Sequence, residues 1–237
     1  MLRDSGSKVV VLGLAAHEVW QELHAPGTLR DGVQPGATAY AATLPDGRQV
    51  VLPIRVLPGG TDRAVASLIL NQASFTVLDA LAAAVAAALR PHAPDLIVGV
   101  PTLGLSLAEG VARRLGHPRF LPLGTSRKFW YDEALSEPVC SITSPGGGKR
   151  LYLAPRLLPL LAGARIAVVD DVLSTGASIA AALALLTRAG MAPVAVGAAM
   201  LQGEGWRAAL GDLPIVAAFR TPRLARAPEG WRPEAAA

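Results

Sequence analysis

The densest chemistry in the chain lies in Val168-Val169-Asp170-Asp171-Val172-Leu173-Ser174-Thr175-Gly176-Ala177-Ser178. Two adjacent carboxylates end a hydrophobic run, and a short hydroxyl- and glycine-bearing segment leads from them into a helical pattern. The free N–H groups of a turn and of a helix N-terminus make a site for an anion. Gly176 lets a phosphate approach the main chain, and Ser174, Thr175 and Ser178 add hydroxyls. Asp170 and Asp171 would repel that anion, so they serve another part of the ligand, either sugar hydroxyls or a bridging divalent cation. A phosphate beside a diol describes a ribose phosphate.

Such a site needs a strand to deliver the carboxylates and a helix to follow the turn. Ala164 to Val169 reads as a buried strand, Ser178 to Ala189 as a helix closed by Gly190, and Pro193 to Met200 as the next strand. Upstream, Thr76 and Asp79 make a capping box for a helix whose Leu78, Leu81, Val85 and Leu89 share one face, and Pro91 stops it. Asp95 to Val100 follows as a short buried strand, Leu105 to Leu115 as a helix ended by Gly116, and Arg119 to Leu123 as another strand. This alternation builds a parallel sheet covered by helices. Residues 124–150 break the period with Gly124, Pro138, Pro145 and Gly146-Gly147-Gly148, and a long irregular insertion in a compact α/β domain reads as a lid or binding loop. Nearer the start, Tyr40 to Leu44 and Arg48 to Leu52 flank Pro45-Asp46-Gly47 as a hairpin in a small flanking subdomain. The first residues, through Glu18, read as an opening strand, and the Pro- and Arg-rich stretch from Arg220 as a tail that frays or drapes over the surface.

Composition excludes several classes. With 237 residues, 51% hydrophobic and 17% charged, the chain can bury a sizeable core and is not a disordered segment. Its longest apolar run, Leu81 to Leu89, falls short of the roughly 20 residues a membrane-crossing helix needs. A lone Cys140 forbids an intrachain disulfide or a multi-cysteine metal site and suits the cytoplasm. Net charge is +4, and the basic residues are dispersed along the chain, which disfavours duplex nucleic acid as a partner and suits an anionic small molecule.

The segment 168–178 resembles the phosphoribosyl-diphosphate signature of the type I phosphoribosyltransferases: a hydrophobic run, two acids, two hydrophobics, then small-Thr-Gly-x-Ser/Thr. The likeness extends over roughly 63–200 and points to the adenine/xanthine and purine-repressor branch, because the Asp-Asp pair is what adenine, xanthine and orotate members tend to show and the Lys-x-His-Gly lid pattern of orotate members is absent. It implies an α/β fold with a parallel-sheet, Rossmann-like core over 63–219, a small N-terminal hood or flanking subdomain over 1–62, a flexible lid over 124–150 and a C-terminal tail over 220–237. The activity implied is Mg2+-dependent transfer of a 5-phosphoribosyl group from phosphoribosyl diphosphate to a purine base of adenine or xanthine type, by a homodimer. Asp170 and Asp171 are then the catalytic residues and the metal ligands, directly or indirectly. Ser174, Thr175, Gly176, Ala177 and Ser178 hold the 5′-phosphate, while Pro101, Thr102, Leu103 and Gly104 hold diphosphate with the basic pair Arg127 and Lys128. Asn71 is the implied base contact, and Ser141, Thr143 and Lys149 fall in a segment similar to the hood loop that closes over the site. Trp130, inside the insertion, is the tryptophan placed to stack a base, whereas Trp206 and Trp231 read as packing residues.

Other readings fit less well. Gly146-Gly147-Gly148-Lys149 is not a nucleotide P-loop, because Arg150 stands where a hydroxyl should meet magnesium and Thr143 where the first glycine should be. Gly104-Leu105-Ser106-Leu107-Ala108 imitates a nucleophile elbow, but the last histidine, His117, precedes the acids instead of following them. His17 and His24 have no third ligand at metal spacing. A sensor of phosphoribosyl diphosphate without turnover is the second function the resemblance allows, although the N-terminal region carries no helix-turn-helix signal or basic recognition helix.

Overall fold

The computed structural model describes residues 13–139 and 150–234. In chain order its strands and helices are β1 (Gly32–Val33), β2 (Ala39–Thr43), β3 (Gln49–Val56), β4 (Arg63–Ala66), α1 (Phe75–Leu89), β5 (Leu96–Gly99), α2 (Gly104–Leu115) and β6 (Leu121–Pro122). There follow β7 (Ser136–Pro138), β8 (Arg150–Tyr152), α3 (Leu158–Leu161), β9 (Ile166–Leu173), α4 (Ala177–Arg188), β10 (Ala195–Gln202), α5 (Arg207–Leu210), β11 (Ile215–Thr221), β12 (Arg223–Ala227) and β13 (Gly230–Pro233).

The core is a five-stranded sheet in the order β11-β10-β9-β5-β6, and every pairing in it is parallel. Its central strands are buried along nearly their whole length, as a sheet covered on both faces demands. The chain builds β6 outward on one side of β5 and then returns to lay β9, β10 and β11 on the other side. The order therefore reverses between β5 and β9, and at such a point the loops leaving the C-terminal strand ends diverge and open a crevice.

Helix α1 starts earlier than the Thr76 capping box predicts. Ser74 is the cap, with its Oγ accepting from the Val77 N–H at 3.2 Å, whereas Asp79 turns to α2 and pairs with Arg114 at 2.9 Å. A tertiary ion pair thus takes the side chain that a capping box would have used locally. The stretch Phe75–His92 is as long and apolar as a short membrane span, with mean hydropathy 1.2, yet its apolar stripe faces the core. Val77, Leu81, Val85 and Leu89 are fully enclosed there, each contributing about 1.5–3 kcal/mol by burial.

A second, antiparallel sheet of six strands, β1-β2-β3-β4-β12-β13, lies beside the core. The expected hairpin is present as β2 and β3, closed by Leu44 and Arg48 backbones at 2.8 Å and by Gly47 at φ +86°. This sheet crosses both expected boundaries. Residues 63–66 pair with β3, and the C-terminal stretch read as a frayed or draped tail forms β12 and β13, with β12 paired to β4. The misleading signal was its density of Pro and Arg. The apolar residues beneath it, Leu224, Ala227 and Trp231, are buried, while the Arg226 guanidinium stays outside, 4.9 Å above the Trp231 ring.

The insertion is also less irregular than its composition suggests. Ser136–Pro138 and Arg150–Tyr152 pair as β7 and β8, and Arg188 at the end of α4 ties this pair down through the Ser136 carbonyl at 2.9 Å and the Glu137 carboxylate. Cys140, Ser141, Thr143 and Lys149, and residues 1–12 of the expected opening strand, lie outside the described residues; the described end of that stretch is not a strand but a 3-10 turn over Ala16–Glu18.

In the middle of β10, a Cβ on Gly197 would stand 2.9 Å from Val85 Cγ1 and 3.1 Å from Leu89 Cδ1. Gly197→Ala is therefore expected to overpack the α1–sheet contact and lower the unfolding free energy by about 1–3 kcal/mol. Urea titration checks this, with a fall in midpoint at constant slope as the expected result.

Candidate active site

The two loops singled out in the sequence leave the two strands that flank the reversal of strand order. Pro101 to Gly104 follow β5, and Ser174 to Gly176 follow β9. Val100 donates to the Val169 carbonyl at 2.9 Å, which continues the β5–β9 ladder up to the edge of the crevice.

Gly176 has φ +80°, a left-handed conformation that costs glycine nothing, and it turns the chain directly into α4. The Ala177 N–H leans on Thr175 Oγ1 at 3.4 Å, and the Ala180 N–H reaches the Gly176 carbonyl at 2.8 Å. Outside the loop there is no slack. A Cβ on Gly176 would be 3.2 Å from the backbone of Trp206, and one on Gly205 would be 3.2 Å from the Ser174 carbonyl. Trp206 is itself fixed, buried and donating its indole N–H to Gly203 at 3.0 Å. The loop is thus braced by the turn that follows β10, so its free N–H groups are aimed before any ligand arrives.

Asp170 and Asp171 sit within β9, which runs on to Leu173, four residues past the hydrophobic run that ends at Val169. Successive strand residues point to opposite faces. Asp171 accordingly lines the cavity beside the loop, whereas Asp170 is only 6% exposed and faces the start of α2. A Cβ on Gly104 would come within 2.7 Å of both Asp170 Cα and Oδ1, so only glycine can begin α2 there. The Asp171 N–H donates to Asp170 Oδ1 at 2.9 Å. Burial, then the neighbouring Asp171 charge, holds the Asp170 carboxyl well above the usual carboxylate range; burial raises Asp171 as well. Two desolvated carboxylates side by side, with no Lys, Arg or His bridging to them among the described residues, make a site that needs a cation or hydroxyl donors.

The cavity holds about 440 Å³. Its floor is Asp171 to Ile179, which includes all five of the expected phosphate-loop residues. Its opposite wall was not expected: Leu57, Val65, Ser67 and Leu68 from the antiparallel sheet, Met200 and Gln202 from β10, and Arg223 from β12. Gln202 is buried, with its amide donating to the Ala66 carbonyl at 2.9 Å, and so joins the two sheets at the cavity. Nothing in the local pattern around Arg223 or Gln202 announces a site; the pairing of β12 with β4 brings Arg223 there, and the pairing of β10 with β9 brings Gln202.

Other expected site residues stand apart from this cavity. Arg127 and Lys128 are exposed, and Arg127 is paired with Glu133 at 3.2 Å. Trp130 stacks edge-on against Phe129 at 4.6 Å on the surface. Asn71 is exposed in a single 3-10 turn, beyond Leu68 where the wall ends. Pro101 to Gly104 adjoin Asp170 without lining the cavity. The Ser106 hydroxyl is buried without a partner in α2, and His117 lies past the far end of that helix, its Nε2 3.0 Å from the Pro94 carbonyl, so the two cannot form a triad.

Because folding raises the affinity of Asp170 for its proton above that in the unfolded chain, stability declines as pH climbs from the unfolded value through the folded one, and the penalty stays in full above both. Asp170→Asn is therefore expected to raise the thermal midpoint at neutral pH and to flatten the decline between acidic and neutral pH. An Asn variant less stable than the parent at pH 7 would contradict this burial account.

Residues 66–211 match the family model described as the phosphoribosyl transferase domain. A curated relative, the adenine phosphoribosyltransferase of Kineococcus radiotolerans, is 33% identical over 189 residues, which cover 78% of this chain and 95% of that protein. That of Nocardia farcinica is 34% identical over 146 residues, covering 57% of this chain and 68% of the relative. Among solved structures, the APRTase from Giardia lamblia complexed with 9-deazaadenine superposes with a TM-score of 0.56 at 22% identity, covering 71% of this chain and 93% of that one. The adenine phosphoribosyltransferase from Thermoanaerobacter pseudethanolicus gives 0.53 at 23% identity over 62% of this chain and 81% of its own. The solved structures share the fold, and the residues matched by the family model span β9, the acidic pair and the braced loop; the chain belongs to the phosphoribosyl transferase family.

Proposed function

We propose that the protein transfers a 5-phosphoribosyl group from phosphoribosyl diphosphate to adenine, releasing diphosphate. The observation that carries this is the braced anion loop Ser174–Ser178 sharing one cavity with the Asp171 carboxylate, which suits the phosphate and the hydroxyls of one ribose 5-phosphate. The curated relatives described above are adenine phosphoribosyltransferases, which favours adenine over xanthine as acceptor.

In this reaction the anomeric carbon loses its bond to the diphosphate oxygen and gains one to a ring nitrogen of the base, whose proton leaves to solvent. Positive charge builds on the ribose as the leaving bond lengthens. The Asp171 carboxylate is the cavity-lining group suited to meeting that charge and the ribose hydroxyls, and the loop N–H groups fix the phosphate so that the anomeric carbon stays put. Asp170 is a positioning residue in this scheme, orienting the Asp171 backbone through its Oδ1. Gly104 packs against Asp170, and the loop that ends there, from Thr102, is the element assigned to the departing diphosphate in this scheme.

A divalent cation fits the acidic pair: two neighbouring carboxylates lack a basic partner, and no third acidic or histidine ligand joins them among the described residues. Such an ion would take most of its oxygens from the substrate, with Asp171 and, through it, Asp170 as the protein's share. When bound, Mg2+ supplies neutralisation of the diphosphate charge.

Diphosphate release measured against adenine, hypoxanthine, guanine, xanthine, orotate and uracil tests this reading. Turnover with adenine in the presence of Mg2+, and a fall of roughly 100-fold or more in kcat for Asp171→Asn, is the expected outcome. Tight binding of phosphoribosyl diphosphate with no release on any base would replace the enzyme by a sensor.

A further inference from the structure

The cavity that holds the Ser174–Ser178 loop is lined, among the described residues, by one cationic side chain. That residue is Arg223, the first of β12, which lies beyond the matched segment 66–211. Three features present it. In the β12–β4 ladder Arg223 stands opposite Val65, which lines the same cavity. Its stem lies on Gly203, where φ is +61° and a Cβ would sit 2.9 Å from Arg223 Cγ and 3.2 Å from Cδ, so the backbone leaves the arginine a groove that no other residue at 203 would allow. On the outer side, Glu234 Oε2 is 3.3 Å from Arg223 Nε, and the same carboxylate is 3.4 Å from Arg63 Nε. Glu234 therefore holds the inner edge of the guanidinium, while neither terminal nitrogen has a protein acceptor among the described residues. A solvated arginine on a strand would need neither the groove nor the clamp.

We infer that Arg223 is a substrate-binding residue, its free guanidinium edge gripping the ribose 5-phosphate held on the Ser174–Ser178 loop. The proposal rests on the phosphate reading of that loop and adds a ligand from the opposite wall. The anion addressed is the one in this cavity, since Pro101 to Gly104, the loop suited to diphosphate, do not line it. A planar fork with two parallel donors matches phosphate oxygens, and lysine reproduces its charge but not its geometry. The C-terminal hairpin thereby becomes part of the binding site, and the second sheet closes over the ligand from the side opposite α4.

The test is calorimetric binding of ribose 5-phosphate, adenosine 5′-monophosphate and adenosine to the full chain. Arg223→Met is expected to weaken ribose 5-phosphate and the monophosphate by about ten-fold. It should leave adenosine, which lacks the phosphate, unchanged; Arg223→Lys should fall between parent and Met, which separates lost charge from lost folding. Equal binding by parent and Met variant, or equal weakening of adenosine, would overturn the role of Arg223 alone. A parent that binds neither phosphate compound would overturn the loop reading and this proposal with it.

Discussion

The structure turns on keeping two carboxylates and an anion-binding loop within a few residues of one another with no basic side chain, among the described residues, paired to the carboxylates. A strand solves the first half of that problem, because it sends Asp170 and Asp171 to opposite sides. Asp170 goes inward, against a helix start that has to be glycine, and Asp171 goes to the cavity. The second half is solved by the turn through Gly176, which converts the end of β9 into the exposed N-terminus of α4. The cost is a desolvated acidic pair whose proton affinity is raised, a strain on stability of the sort functional sites retain.

Everything around this segment limits its freedom. Trp206 and Gly205 press on the phosphate loop from the turn after β10, with arginines at positions 207 and 220 lying over the Trp206 ring at 4.6 and 5.9 Å. On the far side, α1 packs its alanine-rich face closely enough on α2 and the sheet that Gly110 and Gly197 have no room for a Cβ. A small-residue interface of this kind brings helix and sheet backbones near one another.

The parts that were legible in the sequence are those whose signal is local. The strand-turn-helix around Asp170 to Ser178, the hairpin around Pro45-Asp46-Gly47 and the helix ending at Gly116 all announce themselves within a dozen residues. Legibility failed where pairing is long-range. The ladder between β4 and β12 joins residues some 160 positions apart, with Arg223 opposite Val65, and no local period encodes it; the Pro- and Arg-rich composition even argues for a loose tail. That ladder places Arg223; other long-range contacts, the Gln202 amide on the Ala66 carbonyl and the Asp79–Arg114 ion pair between α1 and α2, account for Gln202 at the cavity and for Ser74 as the cap in place of Thr76. Trp130 and Asn71 have the residue type and sequence position of base contacts, yet the cavity wall is made by Leu57, Val65, Ser67, Leu68, Met200, Gln202 and Arg223.

If the loop is a preformed phosphate cradle, its own amides must report the ligand. Backbone amide NMR shifts of Ser174 to Ser178 during titration with phosphoribosyl diphosphate and Mg2+ test that most directly. The account predicts saturable shifts concentrated on those five residues and on Asp171. Shifts absent there, or confined to another part of the surface, would contradict it.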